Sequence, residues 1–291
     1  MSVDVGTGME VIVLERVPML TPLAVRFRDE ATREYASSSL LVQAYPEGLP
    51  ELRTSGLANP SGIFVFRDLP WMRDVEHGDG DDAFWATQTT RTFIVEVRDL
   101  GGLYLPCWFS VEVPHRGVFG IDYATSPPAA PFVPLFSAPT RNAPDGMGVL
   151  RAELIDAETG EPAAWALVEA KAGEQRLVTG MADAQGRVML PLFYPKPVIT
   201  LGSPGSVNTP LTQQTWAVDF TVRYRRRTPV PALPDLVDVL TQPPATAWEE
   251  TSPLTPWTQT TLQFGRELRL STHAGGGATP TLLITPAGSP P

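Results

Sequence analysis

The feature that most constrains this chain is a pattern that occurs twice along it. Leu23-Ala24-Val25-Arg26-Phe27-Arg28-Asp29, followed by Thr32 and Glu34, matches Leu150-Arg151-Ala152-Glu153-Leu154-Ile155-Asp156, followed by Thr159 and Glu161. Leu41-Val42-Gln43-Ala44 then matches Leu167-Val168-Glu169-Ala170. Ser55-Gly56-Leu57-Ala58-Asn59, with Gly62, matches Thr179-Gly180-Met181-Ala182-Asp183, with Gly186. Last, Phe93-Ile94-Val95-Glu96-Val97 matches Trp216-Ala217-Val218-Asp219-Phe220. The spacing drifts only in intervals that read as loops. Each run is short, β-prone and bounded by Asp, Asn, Gly or Pro, as consecutive strands of a sandwich are. The expected fold class is therefore all-β, with two β-sandwich domains from an internal duplication.

Each repeated feature has a physical reason. In Asp156-Ala157-Glu158-Thr159-Gly160 the carboxylate can accept local backbone hydrogen bonds while Gly160 takes a positive φ. Arg33 stands in the first copy where Gly160 stands in the second, so the first turn is expected to differ. Asn59-Pro60-Ser61-Gly62 and Asp183-Ala184-Gln185-Gly186 carry Asn or Asp first and Gly last, as type I turns prefer. Ile63-Phe64-Val65-Phe66 and Val188-Met189-Leu190 then supply buried strand positions.

The Asp-x-x-Thr-Gly-x-Pro turn from Asp156 to Pro162 and the Thr-x-x-x-Asp-x-x-Gly turn from Thr179 to Gly186 resemble the carboxypeptidase regulatory-like domain. The resemblance covers both copies. It implies seven-stranded, Ig-like and prealbumin-like sandwiches, and roles in adhesion, scaffolding or accessory binding without catalysis. A fold shared by many functions assigns none of them.

At 291 residues the chain is long enough for two domains of ordinary size, and its 31 prolines and 24 glycines call for many turns and extended connections. The expected organisation is an N-terminal extension or added strand over 1–22, a first sandwich over 23–114, a Pro-rich linker over 115–148, a second sandwich over 149–272 and a Gly/Pro-rich tail over 273–291. The second sandwich carries an insertion over 225–257. The strand read over Met9-Glu10-Val11-Ile12-Val13-Leu14-Glu15-Arg16-Val17 is expected either to join the first sandwich or to be offered to a neighbouring subunit by edge addition. The linker holds Phe119, Tyr123, Phe132, Leu135 and Phe136, too apolar for a solvated spacer, and is expected to lie against a domain or a partner. A hairpin through Leu100-Gly101-Gly102 closes the first sandwich. A short helix is expected within Pro234-Asp235-Leu236-Val237-Asp238-Val239-Leu240, and one final strand from Thr258 to Leu270.

A formal net charge of −10 repels phosphate backbones and anionic membranes, so nucleic acid is not an expected partner. No apolar run approaches the roughly 18 residues that span a bilayer, and the first residues lack the basic and apolar regions of a secretory signal. The lone Cys107 excludes an internal disulfide framework and reads as a packing residue. Synthesis in the cytoplasm is expected, either as a cytosolic protein or within a particle released by lysis.

Chemistry-bearing clusters are few. Asp79, Asp81 and Asp82, between Trp71 and Trp85, are a weak calcium candidate whose spacing does not match an EF-hand; a solvated acidic loop is the plainer reading. Trp71 and Trp85 flank this loop as interface aromatics would. Further partner-binding candidates are Phe132 and Phe136 in the linker, the run Arg225, Arg226 and Arg227, and Leu282, Leu283 and Ile284 in the tail. The arginines read either as a solvated strand end or as a contact for an acidic neighbour. No G-x-S-x-G, H-E-x-x-H or Cys-x-x-Cys motif occurs, and His77, His115 and His273 are far apart, so neither an enzyme nor a bound cofactor is expected.

Two stretches, Pro134-Leu135-Phe136-Ser137-Ala138-Pro139-Thr140-Arg141 and Pro162-Ala163-Ala164-Trp165-Ala166-Leu167-Val168-Glu169, are similar to proteins encoded beside phage-tail-like contractile injection systems. This similarity implies a structural subunit at a baseplate or cap, bound to other protein subunits in multiple copies. The alternative expectation is an adhesion or ligand-binding module that recognises a carbohydrate or surface protein through residues 71–85.

Overall fold

The repeated runs fold into two sandwiches whose turns are hydrogen-bonded in the same way. The structure, a computed structural model, describes residues 19–122, 131–196 and 210–286, together with the backbone of the strands Ser2–Val5 and Met9–Ile12. Tyr123, the prolines of 126–130 and residues 287–291 lie outside the described residues.

In the first sandwich one sheet runs Cys107–Val113, Arg91–Asp99, Leu40–Pro46, Thr54–Ser55. The facing sheet is built on Leu23–Asp29, which pairs with Ile63–Phe66; Leu57–Ala58 pairs with Ile63–Phe66 in turn. Alternation along Leu23–Asp29 buries Val25, Phe27 and Asp29 and turns Arg26 and Arg28 to the other face. In the second sandwich Val178–Met181, Leu167–Ala172, Thr215–Arg223 and Gln259–Gln263 pair in series. Met147–Asp156 pairs with Arg187–Phe193 on the opposite face, and Pro244–Thr251, paired with Thr215–Arg223 and Leu282–Pro286, joins the two halves into one continuous sheet. Phe27, Phe66, Phe93 and Phe109 fill the first core, and Leu150, Leu154, Phe220 and Leu262 the second.

The first turn is not different in the two copies. Asp29 N donates to Glu34 O and Arg33 N to Asp29 O; Asp156 N donates to Glu161 O and Gly160 N to Asp156 O. Arg33 takes a φ of 68° where Gly160 takes 73°. A non-glycine residue in this region costs about 1 kcal/mol, offset here by the ion pair of Arg33 with Glu30 at 2.8 Å. The second turn follows expectation: Asn59 Oδ1 accepts from Ser61 N and Ile63 N, and Asp183 Oδ1 from Gln185 N and Arg187 N. One match shifts. Ala44 pairs with Val95 and Ala170 with Phe220, so Val95, not Val97, is the counterpart of Phe220. A slip of two residues keeps each side chain on the same face, which is why the pattern concealed it.

The linker and the tail both enter the sandwiches. Val118–Phe119 and Val133–Leu135 pair in parallel, one after the other, with Leu23–Asp29. Leu268–Leu270 and Leu282–Pro286 do the same with Met147–Asp156. The interruption is closed alike in both, by Ile121 N to Phe132 O and by Thr272 N to Thr281 O. The duplication thus extends through the last strand of each sandwich. The expected single strand from Thr258 to Leu270 is two strands, Gln259–Gln263 paired with Thr215–Arg223 and Leu268–Leu270 paired with Met147–Asp156. At the other end, Ser2–Val5 and Met9–Ile12 form a hairpin with each other, and among the described residues neither pairs with a sandwich.

Each sandwich also buries an aspartate at the end of its first strand. Asp29 accepts from Arg141 Nη2 at 2.7 Å and from the Tyr104 hydroxyl at 3.3 Å. Asp156, fully buried, accepts from Arg226 Nε at 2.8 Å and Nη2 at 3.0 Å. Burial, followed by the aspartate charge, pushes both Tyr104 and Tyr224 up to about 12. These are paired charges in an apolar setting, where removal of one partner strands the other.

Candidate interaction surfaces

The two sandwiches diverge in the loop that joins the last strands of one sheet. In the first sandwich residues 100–106 make this connection, tied by Asp99, whose carboxylate accepts from Gly101 N and Tyr104 N. In the second it is the insertion, which crosses to the first sandwich. Trp108 N donates to Pro234 O and Trp108 Nε1 to Leu233 O, so the insertion lies along the outer edge of Cys107–Val113. The short helix Leu236–Leu240, capped by Asp235, buries Leu236, Val239 and Leu240 in the first core cluster. Trp165 enters the same cluster at a φ of 62°, its indole donating to Pro231 O at 3.1 Å. Its counterpart Ser39 has the same φ. The backbone geometry is therefore common to both copies, and the side chain alone turns the position into a latch.

The arginine run forms ion pairs within the chain at this junction. Arg225 and Arg227 pair with Asp238 on the short helix, and Arg226 holds Asp156 and Glu158. Arg225 and Arg226 are exposed, as a solvated strand end would be, and the acidic groups they meet lie in the same chain. The tail residues Leu282 and Ile284 are fully buried and Leu283 half-buried in the last strand. Phe132 and Phe136 are likewise buried, with the Arg28 guanidinium over the Phe132 ring at 3.4 Å. These side chains are core, not docking groups. Cys107 is buried too, and burial pushes its thiol up to about 12, away from nucleophilic character.

The loop after Leu69 contains two short helices, Arg73–Glu76 and Asp82–Ala86. Asp81 caps the second by accepting from Phe84 N at 2.6 Å, and Asp82 pairs with Arg116 at 2.7 Å. Among the described residues no group of acidic, histidine or cysteine side chains could hold a metal ion. Trp85 packs edge-on to Phe84 against the core, whereas Trp71 is 54% exposed, at a φ of 62°, with Arg91 over its ring at 4.9 Å.

A surface that sequence reasoning did not single out is the edge from Thr54 to Ala58. This chain crosses between the two sheets of the first sandwich, and its two short strands end both. Leu57 is 70% exposed, and Leu49 and Leu52 nearby are also exposed. A groove lined by Arg53, Thr54, Leu57, Ala58, Val65 and Arg67 follows it. In the second sandwich the counterpart of Leu57 is Met181, 1% exposed within the cluster that runs through Trp165 and the short helix. The sequence signal was present but ambiguous, because Leu and Met are equally apolar and only tertiary placement separates them.

No family model matches the chain, and no curated protein does. Among solved structures it is similar to the Bacillus anthracis TIE protein, at 8% identity and a TM-score of 0.23 over 91% of this chain; the chain spans 34% of that protein. It is similar also to the shaft pilin SpaA of Lactobacillus rhamnosus GG, at 10% identity and a TM-score of 0.22, covering 93% of this chain and 99% of that one. A C-terminal fragment of the pilus adhesin SpaC from the same bacterium matches at 9% identity and a TM-score of 0.20, covering 93% and 99%. The fold assignment rests on the strand pairing described above.

Proposed function

We propose that this protein is a non-enzymatic structural subunit of a larger protein assembly, with a contractile injection particle as the specific setting. The observation that carries the reading is the apolar cluster that continues from the first sandwich through Trp165 and Leu236–Leu240 into the second. It makes the tandem one rigid strut, where modules that bind independently need only a flexible connection. The free edge from Thr54 to Ala58, with exposed Leu57, is the docking face: an extended segment of a partner can add to it by backbone pairing. The likeness of the stretches 134–141 and 162–169 to injection-system proteins supports the setting.

Adhesion is the second reading, favoured by exposed Trp71, since aromatic residues in strained backbone positions recur at ligand sites. The test is sedimentation of the native protein from its own source. The scaffold reading expects it to travel with a high-molecular-weight particle and to leave that fraction when Leu57→Lys is introduced. A lone monomer of 31.6 kDa in the native extract contradicts it.

A further inference from the structure

At the junction of the sandwiches, arginines gather on the outer face of the strand Leu23–Asp29. Arg28 Nη2 lies 2.9 Å from one oxygen of Glu30 and Arg33 Nη1 lies 2.8 Å from the other. Arg176, from the second sandwich, donates to Ala31 O, while Arg33 Nη2 donates to Leu177 O at 3.5 Å. These reciprocal contacts bring the two guanidiniums side by side. Arg26 stands two positions before Arg28 on the same face, over the ring of Tyr35 at 4.6 Å.

The charges here do not balance. Glu30 is 1% exposed and serves both Arg28 and Arg33, and the adjacent Asp29 is already paired with Arg141. Among the described residues at this site Arg26 Nε and Arg176 Nε, and Glu30 Oε2 on the acceptor side, are buried without a hydrogen-bond partner, although Oε2 is ion-paired with Arg33. Burial, then the neighbouring Arg33, lowers the Arg176 guanidinium from its ordinary value, as like charges crowded out of water must. A partly buried surplus of positive charge with unpartnered donors is costly. An anion that supplies acceptors relieves both terms, and planar guanidiniums suit a tetrahedral oxyanion. The site is reachable, since the side chains of Arg28 and Arg33 are 15% and 29% exposed and Tyr35 beside them is half exposed.

We propose that Arg28, Arg33 and Arg176, gathered around Glu30 at the module junction, with Arg26 next along the same strand face, bind a doubly charged oxyanion of the phosphate or sulfate type. The anion joins groups from both sandwiches, so its binding stiffens the junction. The site is independent of the scaffold reading and stands or falls apart from it.

The test is calorimetric titration of the full chain with inorganic phosphate, and separately with sulfate, against chloride at matched ionic strength. One saturable site is expected for the first two and none for chloride. Loss of a charge-assisted contact in Arg176→Gln should weaken phosphate about tenfold or more. Glu30→Gln should tighten it, because the competing carboxylate is gone, whereas a purely structural role of the cluster predicts no tightening. Arg26→Gln, which touches no backbone group of the other sandwich, serves if Arg176→Gln does not fold. Absence of saturable heat in the unmodified protein overturns the proposal, as does unchanged phosphate affinity in the folded arginine variant.

Discussion

Leu57 and Met181 occupy the same place in two copies of one sandwich, yet one faces water and the other is buried. The pairing is shared as far as Gln43 with Ser55 and Glu169 with Thr179 and then parts: Leu57 has crossed to pair with Val65 of the facing sheet, whereas Met181 stays paired with Leu167. To this the second copy adds an insertion and a tryptophan at the position of Ser39. Together these cover its edge and fasten it to the first copy. The comparison teaches that a duplicated unit becomes a directional part when one copy spends its edge internally. The other copy leaves its edge uncovered among the described residues, which is the docking face proposed above.

The largest expected effects test whether the two sandwiches share one buried charge device. Arg141→Ala strands Asp29 and Arg226→Ala strands Asp156, and each should cost about 3–5 kcal/mol in urea unfolding. If one variant is silent, the equivalence of the two sites fails. The same device has a pH signature. Burial raises the Asp156 pKa, but hydrogen bonds from Arg226 and the backbone outweigh it, leaving the carboxyl below its ordinary value of 3.8. Its stabilising contribution is therefore complete above the ordinary value and is lost as pH falls through the depressed one. Acid titration of folded Arg226→Ala should lack this loss below about pH 4.

Next in size is the latch. Trp165→Ala should cost about 3 kcal/mol or more through the cavity it leaves, whereas Ser39→Ala, at the equivalent backbone position, should change stability by less than about 1 kcal/mol. Smaller effects separate the matched turns. A Cβ at Gly186 would meet Leu154 O at 2.3 Å, while at Gly62 the nearest atom is on Ser37 at 3.6 Å. Both glycines have positive φ, so Gly62→Ala should cost about 1 kcal/mol and Gly186→Ala distinctly more in the same assay. Smallest is Leu57→Lys, expected within about 0.5 kcal/mol of the parent because the position is exposed. Met181→Lys, in contrast, should unfold the junction.

Much of this was legible because it is local. The Asx turns at Asn59 and Asp183 need only neighbouring residues, and alternation marks the strands around Phe27 and Leu154. The last strands escaped because parallel pairing joins distant segments, and Val133–Leu135 carries a proline inside a Pro-rich stretch. The turn at Arg33 was misread because the backbone and aspartate hydrogen bonds that close both turns impose the positive φ on whichever residue stands there. The partners of the arginine run were hidden because Arg226 finds Asp156 across the fold. Deleting the tail after His273, or reversing Arg225, Arg226 and Arg227 to Glu, therefore attacks the sandwich itself. As for the candidate site, Trp71 is exposed as an interface aromatic would be, but the open edge at Leu57 depends on what the second copy covers.

The central claim is that the two sandwiches behave as one body, and differential scanning calorimetry tests it most directly. A single transition, with calorimetric and van't Hoff enthalpies equal, is expected for the unmodified protein, and two separate transitions for Trp165→Ala. Two transitions in the unmodified protein would contradict the account.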